Sequence, residues 1–240
     1  MILGDKIISF NEIDSTNKYA IDNYDKLLSS TVIWSLKQTG GYGRFKRKWV
    51  SPIGGLWFSA IFKPLKNKNP YDYVKYFSIA ICEYLNDLSV KAQIKWPNDI
   101  LVNNKKISGI LSQTVYSGSK LVAIIIGIGI NINNIINENL KDIATSLKNL
   151  TGREYNLSKI LMEILKRTNK IKKKYYSSIY ERYLNRRWRK YFAYLEGDFI
   201  TASLNDGKKI SGTIIKIAPD KLILKDENES IRSINCGEII

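Results

Sequence analysis

The chain has no histidine and only two cysteines, Cys82 and Cys236, among its 240 residues. These scarcities exclude a zinc site built from cysteine and histidine, a histidine general base and a Ser-His-Asp triad. No stretch reaches the roughly 18 apolar residues that a membrane-spanning helix needs, and the N-terminus does not read as a secretion signal. We therefore expect a cytoplasmic protein without a membrane partner, whose chemistry uses lysine, arginine, aspartate, asparagine and backbone amides.

The charge is strongly positive, because 38 lysines and arginines against 22 acidic residues give a net charge of +16. Such an excess can attract nucleic acid, phosphate or an acidic protein. Lysine, asparagine, isoleucine and tyrosine are common along the whole chain, however, so a general compositional bias explains the charge equally well. With 44% hydrophobic and 25% charged residues, the composition is that of a globular protein with room for one main domain and a small module.

Apolar patterns predict both helices and strands before residue 193. Apolar residues at helical spacing predict a helix over 71–88 and further helical structure over 157–189. Apolar runs between turn signals predict strands at 6–12, 31–36, 56–62, 92–96, 99–103, 105–116 and 120–132. Short turns such as Asn103-Asn104 join most of these strands, so we predict an α+β fold with a mixed, largely antiparallel sheet.

After Tyr194 the pattern changes to short β runs. Turn signals separate them, including Asn-Asp-Gly at 205–207 and Pro-Asp at 219–220. About 45 residues of tight hairpins predict a small β-barrel. We accordingly expect a main domain over 1–192 and a C-terminal β domain over 193–240.

Residues 37–55, KQTGGYGRFKRKWVSPIGG, form a glycine-rich basic loop between two predicted strands. Glycines let the backbone approach a ligand closely, and the basic residues at 44 and 46–48 supply positive charge. This combination suits a loop that closes over phosphates. The Walker pattern is absent, however, and a solvated basic turn would have a similar sequence.

Residues 95–111, KWPNDILVNNKKISGIL, predict a hairpin with polar side chains at one strand end. Asn98 and Asp99 place an amide and a carboxylate there, and pairing of the strands would bring Lys106 close to Asp99. An ion pair across a hairpin is more often a surface feature worth less than about 1 kcal/mol, so this pattern alone leaves both interpretations open.

Asn131 ends a buried run of isoleucines and glycines at 127–133, GIGININ. A polar side chain in such a place needs a hydrogen-bond partner. A ligand contact and an internally satisfied strand-end asparagine both fit the pattern.

Taken in order, these segments resemble the catalytic domain of biotin protein ligases. The signatures of that family read I-D/E-S-T-N, then Q-T-x-G-R-G-R-x-G-R-x-W-x-S-P-x-G-G-L, then K-W-P-N-D-I/L with K-x-x-G-I-L-x-E, and finally G-x-G-x-N. Their counterparts here lie at 13–17, 38–56, 95–100 with 106–113, and 127–131. The resemblance implies a class II synthetase-like catalytic domain followed by an SH3-like barrel.

The resemblance also implies an activity. The chain would activate biotin with ATP and Mg²⁺ as biotinyl-5′-AMP and transfer the biotinyl group to a lysine of an acceptor. The acceptor would be a biotin carboxyl carrier protein or domain of a biotin-dependent carboxylase such as acetyl-CoA carboxylase. The metal ligands stay open, as does whether the chain forms a homodimer.

Residue roles follow from the same resemblance. Lys106, Arg44 and Asp99 would be catalytic, with Asp99 orienting or deprotonating the acceptor amine. The biotin-binding set would be Ser15, Thr16, Asn17, Gln38, Gly41, Tyr42, Gly43, Arg44, Lys106 and Gly109. The ATP- or adenylate-binding set would be Arg44, Arg47, Trp49, Asn98, Lys106 and Asn131.

Three positions depart from the family pattern. Tyr42 stands where the first arginine of the loop is expected, and Lys46 stands where a glycine is expected. Gln113 replaces the acidic residue that follows G-I-L. The missing guanidinium at position 42 bears on biotin affinity and on retention of the intermediate.

Two rival functions fit part of the sequence. A lipoate protein ligase shares the fold and the adenylation chemistry, but its signature contains a histidine after a glycine run, and this chain has no histidine. The basic charge and the small barrel suggest a nucleic-acid-binding protein. Some biotin ligases carry an N-terminal repressor domain. Because the first motif begins at Ile13, we expect the monofunctional type without that DNA-binding domain and without a specific nucleic-acid partner.

Overall fold

The computed structural model describes residues 2–63, 69–175, 181–204, 206–218, 221–235 and 237–240. The predicted turn at 219–220, as well as Asn205 and Cys236, lies outside the described residues.

A seven-stranded sheet forms the centre of the molecule, with the spatial order β1-β2-β3-β7-β6-β5-β4. The strands are β1 (Ile7–Ile13), β2 (Val32–Gln38), β3 (Leu56–Phe62), β4 (Ala92–Lys95), β5 (Asp99–Val102), β6 (Lys105–Ser117) and β7 (Lys120–Ile130). β1 and β2 are parallel, and every other neighbouring pair in this sheet is antiparallel. The predicted α+β class with a mixed, largely antiparallel sheet is therefore confirmed.

Local sequence explains the connections on either side of the site. Helix α1 (Thr16–Asp22) links the parallel strands β1 and β2, and its N-cap is Ser15, whose Oγ accepts from the Lys18 N–H at 3.3 Å. Asn103 and Asn104 both have positive φ, at 50° and 61°, as a tight turn between β5 and β6 requires. These two connections set the positions of Thr16 and Lys106 relative to the sheet.

The two faces of the sheet carry different layers. Helices α2 (Pro70–Asp87) and α4 (Leu157–Tyr175) pack over the larger core, which includes Ile124, Ile126 and Ile128 of β7. On the opposite face α1 covers a smaller cluster with Ala123 and Ile125. Because side chains alternate along a strand, residues 127 and 129 continue this second face, and both are glycines. Beyond α1, these two positions of β7 therefore place no side chain on this face of the sheet.

A second sheet follows in the chain, five-stranded and antiparallel, with the order β11-β10-β9-β8-β12. Its strands are β8 (Phe199–Ser203), β9 (Lys209–Ile217), β10 (Leu222–Lys225), β11 (Ile231–Ile234) and β12 (Glu238–Ile239). Two shorter helices, α3 (Leu147–Thr151) and α5 (Glu181–Arg189), precede it. In the described part of the chain, no helix combines the length and apolarity that crossing a bilayer requires.

The two sheets are joined by backbone contacts and a shared apolar core. Ile94 at the edge of the first sheet accepts from Ala193 at 2.9 Å and donates to Tyr191 at 2.6 Å. Trp96 Nε1 donates to the carbonyl of Ala218 at 3.2 Å. The edge strand β4 is thereby covered by the segment that leads into the second sheet.

Lys75 in α2 has a completely buried side chain that contacts Asn185 of α5. Its replacement therefore tests the packing of these two helices. Its Nζ lies 2.7 Å from Asp72 Oδ1 and 2.8 Å from Asn185 Oδ1. Lys75→Ala should lower the free energy of unfolding by about 3 kcal/mol in urea denaturation, since removing one partner leaves a buried carboxylate without its cation. The control variant Lys91→Ala removes an exposed lysine and should be neutral. Equal losses in both variants would contradict the buried ion pair.

Candidate active site

A cavity of about 340 Å³ opens on the α1 face of the sheet, where the strand glycines lie. Nearly every residue that the sequence singled out for the site lines it: Ser15, Thr16, Asn17, Gln38, Tyr42, Gly43, Arg44, Arg47, Trp49, Asn98, Asp99, Lys106, Gly109 and Asn131. Gly41 does not line the cavity. Its carbonyl accepts from the Trp49 N–H at 2.9 Å, so it packs inside the loop.

One end of the cavity is polar and uncharged. The first turn of α1 brings Ser15, Thr16 and Asn17 there, and all three are buried. Gln38 Oε1 accepts from the Thr16 N–H at 2.8 Å, and Asn17 Oδ1 accepts from Ser59 Oγ at 2.5 Å. Such a set of amides and hydroxyls can hydrogen-bond a neutral polar ring without placing a charge against it.

Another part of the cavity lining is cationic. Lys106 Nζ lies 2.7 Å from Asp99 Oδ1, as expected from the hairpin predicted over residues 95–111. Arg44 and Arg47 come from the basic loop, where Arg44 begins a short 3₁₀ turn over Arg44–Lys46. Burial lowers the pKa of the Arg44 guanidinium from its ordinary value, while nearby Glu238 opposes that effect. Because arginine stays protonated, these groups supply fixed positive charge for an anionic ligand.

The second sheet reaches the same cations. Arg44 Nη1 donates to the carbonyl of Gly237 at 2.8 Å, and Arg47 Nη1 lies 2.6 Å from Glu238 Oε1. Glu238 also lines the cavity. Strand β12 therefore holds the basic loop from the far end of the chain.

Asn98 and Asn131 line the cavity, but protein groups already engage their side chains. Asn98 Nδ2 donates to the carbonyl of Ile110 at 2.7 Å. Asn131 Nδ2 donates to the carbonyl of Thr145 at 3.0 Å, and Asn131 Oδ1 accepts from Asn134 Nδ2 at 3.2 Å. The geometry gives both asparagines a part in shaping the cavity wall, and their contact with a nucleotide stays a prediction.

The remaining wall is apolar, and of its residues only Trp49 was predicted. It consists of Trp49 together with Ile135, Ile136, Leu140 and Ile143 from the loop after β7. Ile135 is 85% exposed and Ile143 is 63% exposed, although isoleucine side chains are usually buried. Lys106 Nζ lies 5.0 Å from the centroid of the Trp49 ring, so the wall adjoins the cationic part of the lining. A flat apolar ligand group could stack here.

Strand glycines make room for two of the lining side chains. A Cβ on Gly127 would lie 2.2 Å from Asn17 Oδ1, and a Cβ on Gly129 would lie 2.5 Å from Trp49 Nε1. The alternation of glycine and isoleucine at 127–130 was the available sequence signal for this close approach. No comparable signal marked the loop over 134–144 or Glu238.

Gly129→Ala should raise the KM for ATP about tenfold in pyrophosphate release, because the new Cβ displaces the Trp49 indole from the sheet. Its matched control is Thr114→Ala, on an exposed position of β6, which should leave the KM unchanged. An unchanged KM for ATP in Gly129→Ala would show that the position of Trp49 is unimportant for the nucleotide.

Fold and site together fit one class of protein. The cavity offers neutral polar groups, fixed positive charges and an apolar wall on one mixed sheet, as a ligase that activates a carboxylic acid with a nucleotide requires.

Comparisons with known proteins specify the class further. Residues 9–131 match the model of the biotin/lipoate A/B protein ligase family. The bifunctional ligase/repressor BirA of Bacillus subtilis is 29% identical over 245 residues, covering 99% of this chain and 74% of that protein. Biotin–protein ligase 2 of Arabidopsis thaliana is 31% identical over 155 residues, covering 59% of this chain and 46% of that protein.

A solved structure agrees over the whole chain. The biotin protein ligase from Aquifex aeolicus in complex with biotin and ATP superposes with a TM-score of 0.81 at 28% identity, covering 99% of this chain and 98% of that one. The chain belongs to the biotin/lipoate A/B protein ligase family.

Proposed function

We infer that the chain is an ATP-dependent biotin protein ligase, which forms biotinyl-5′-AMP and transfers the biotinyl group to a lysine of an acceptor protein. The observation that carries this inference is the lining of one cavity, which combines neutral polar side chains, cations and an apolar wall. Biotin has a neutral ring and a carboxylate, and ATP has phosphates and a base. The three kinds of surface match these groups, which the adenylate joins in one molecule.

In the first step the biotin carboxylate attacks the α-phosphorus of ATP, and pyrophosphate leaves. Two anions must be aligned, and negative charge grows on the phosphoryl oxygens. We assign this work to Lys106 and Arg44, whose positive charges line the cavity. Ser15, Thr16, Asn17 and Gln38 would hold the ring at the polar end.

The nucleotide would lie toward the apolar wall, with its base against Trp49 and Ile143. Arg47 would meet the phosphates once Glu238 releases it. Within the described residues, no three carboxylate, cysteine or histidine side chains come together as a metal site. Because Mg²⁺ is commonly held by substrate phosphates with one or two carboxylates, we treat it as part of the MgATP substrate.

In the second step an acceptor lysine amine attacks the acyl carbon, and AMP leaves. The attacking amine must be unprotonated, and Asp99 is the carboxylate beside the reacting region. We assign it to orienting or deprotonating that amine. The glycine-rich loop over 40–48 would keep water from the mixed anhydride until the acceptor arrives.

The domain bounds, the acceptor, the assembly and the location are also proposals. We propose a catalytic domain over 1–192 and an SH3-like domain over 193–240, which agrees with the start of β8 at Phe199. We propose a biotin carboxyl carrier protein or domain as the acceptor, a homodimer as the assembly to test, a cytoplasmic location and no specific nucleic-acid partner. The charge of +16 would speed encounter with an acidic acceptor.

Acceptor labelling tests the proposed function. The chain is incubated with MgATP, biotin and a biotin carboxyl carrier domain, and the mass of the acceptor is measured. We expect one biotinyl group per acceptor, none without ATP and none on an acceptor whose target lysine is replaced by arginine. Labelling by lipoate in place of biotin would instead make the chain a lipoate ligase.

A further inference from the structure

Gln113 does not line the cavity, yet it holds two residues that do. Its Oε1 accepts from Asn17 Nδ2 at 2.8 Å and from Tyr42 Oη at 3.0 Å. Asn17 belongs to the first turn of α1, Tyr42 to the basic loop and Gln113 to β6. One carbonyl oxygen therefore joins three separate parts of the site.

The hydrogen bonds around Asn17 run in one direction. Ser59 Oγ donates to Asn17 Oδ1 at 2.5 Å, which uses the only hydroxyl proton of Ser59. The 2.7 Å contact between Thr16 Oγ1 and Ser59 Oγ is then donated by Thr16, whose hydroxyl also lies 3.1 Å from a second acceptor, Gln38 Oε1. Thr16 thus donates to Ser59, Ser59 donates to Asn17, and Asn17 donates to the side-chain oxygen of Gln113.

This direction fixes the amide of Asn17, which is 5% exposed. Its oxygen faces Ser59 and one of its N–H groups faces Gln113, which leaves the second N–H for a ligand in the cavity. The two neighbours thereby decide whether Asn17 presents a donor or an acceptor at the polar end.

The same network anchors both ends of the segment 42–51 of the basic loop. Tyr42 at its start donates to Gln113, and Ser51 at its end accepts from Gln38 Nε2 at 3.0 Å. Gln38 in turn accepts from the Thr16 N–H at 2.8 Å. The loop that carries Arg44 is consequently tied at each end to the residues of the polar end.

We propose that Gln113 is a positioning residue for the acyl substrate: it orients the Asn17 amide toward the neutral ring and anchors the loop through Tyr42. The inference deepens the proposed function and rests on it. Tyr42 and Gln113 are the two positions where an arginine and an acidic residue were expected. In this chain a hydrogen bond between two uncharged side chains joins them.

The test measures biotin-dependent pyrophosphate release at varied biotin and varied ATP. Gln113→Leu leaves the buried Asn17 amide unpaired and should raise the KM for biotin about tenfold, with kcat and the KM for ATP within about twofold of wild type. Gln113→Glu keeps an oxygen acceptor in place and should stay within about threefold of wild type for biotin.

Tyr42→Phe tests whether Tyr42 acts through Gln113. In the wild-type background it should raise the KM for biotin by about threefold, because one hydrogen bond is lost. In the Gln113→Leu background it should cause no further rise, since the shared acceptor is already absent. Gln93→Leu, at an exposed position of β4, is the matched control and should match wild type.

The possible outcomes distinguish a failure of the positioning role from a failure of the proposed function. An active wild type whose KM for biotin is unchanged by Gln113→Leu would overturn the positioning role alone. Equal rises in both KM values, or a Gln113→Glu variant as impaired as Gln113→Leu, would overturn it as well, because either result indicates general damage or a needed N–H donor. A wild type that releases no pyrophosphate with biotin would overturn the proposed function and, with it, the positioning role.

Discussion

Lys106→Ala is expected to lower the rate of biotin-dependent pyrophosphate release at least about a hundredfold, because it removes a preorganised cation from the site where phosphoryl charge develops. Lys106 Nζ lies between Asp99 Oδ1, at 2.7 Å, and the face of the Trp49 ring, at 5.0 Å from its centroid. It therefore lies where the cations of the cavity adjoin the apolar wall, and we expect the carboxylate and the α-phosphate to meet there. No other lysine from the β5–β6 hairpin lines the cavity within the described residues.

The adjacent lysine provides a matched control. Lys105 Nζ donates to the carbonyl of Lys141 at 2.5 Å, on the exposed side of the same strand. Lys105→Ala removes the same charge at nearly the same sequence position, so it should keep the rate within about twofold of wild type. If the two variants lost equal activity, the effect would come from net charge or folding, and the assignment of Lys106 would be wrong.

Asp99→Asn is expected to separate the two half-reactions. The asparagine oxygen can still accept from Lys106, so adenylate formation should stay within about fivefold of wild type. The carboxylate that would orient or deprotonate the acceptor amine is lost, so transfer from preformed adenylate should slow about a hundredfold. Single-turnover transfer, measured after the adenylate has accumulated, reads the second step alone.

Asp142→Asn is the control for this variant, because Asp142 is exposed in the loop of the apolar wall and does not line the cavity. It should leave both half-reactions unchanged. Equal slowing of the two steps in Asp99→Asn would mean that Asp99 serves only to hold Lys106. Normal transfer would remove Asp99 from the mechanism.

Local sequence was sufficient for much of the fold. The helix predicted over 71–88 is found at Pro70–Asp87, where the apolar residues at helical spacing are buried in the core. The Asn103-Asn104 turn sets the register that brings Lys106 beside Asp99. Turn chemistry and strand alternation are local properties, which is why these features could be predicted.

The features that the sequence did not predict depend on contacts between residues that lie far apart in the chain. The parallel pairing of β1 with β2 is set by the crossover through α1, and apolar alternation does not identify a strand's neighbour. Gln113 meets Tyr42 across 71 positions and Asn17 across 96, so no local pattern joins them. Glu238 lies 191 positions from Arg47.

The apolar wall was missed for a different reason. Isoleucines in a sequence predict a buried core, whereas Ile135 and Ile143 are largely exposed and face the cavity. Their loop contains only a short 3₁₀ turn, Glu138–Leu140, so no periodicity marks it. A hydrophobic residue reserved for a ligand has the same sequence signature as one reserved for the core.

The most direct test of the central claim is pyrophosphate release from MgATP without any acceptor, measured with biotin and with lipoate in parallel. We predict release that requires biotin, stops after about one turnover while the adenylate stays bound, and resumes when a biotin carboxyl carrier domain is added. Release with lipoate but not with biotin, or no release with either acid, would contradict this prediction.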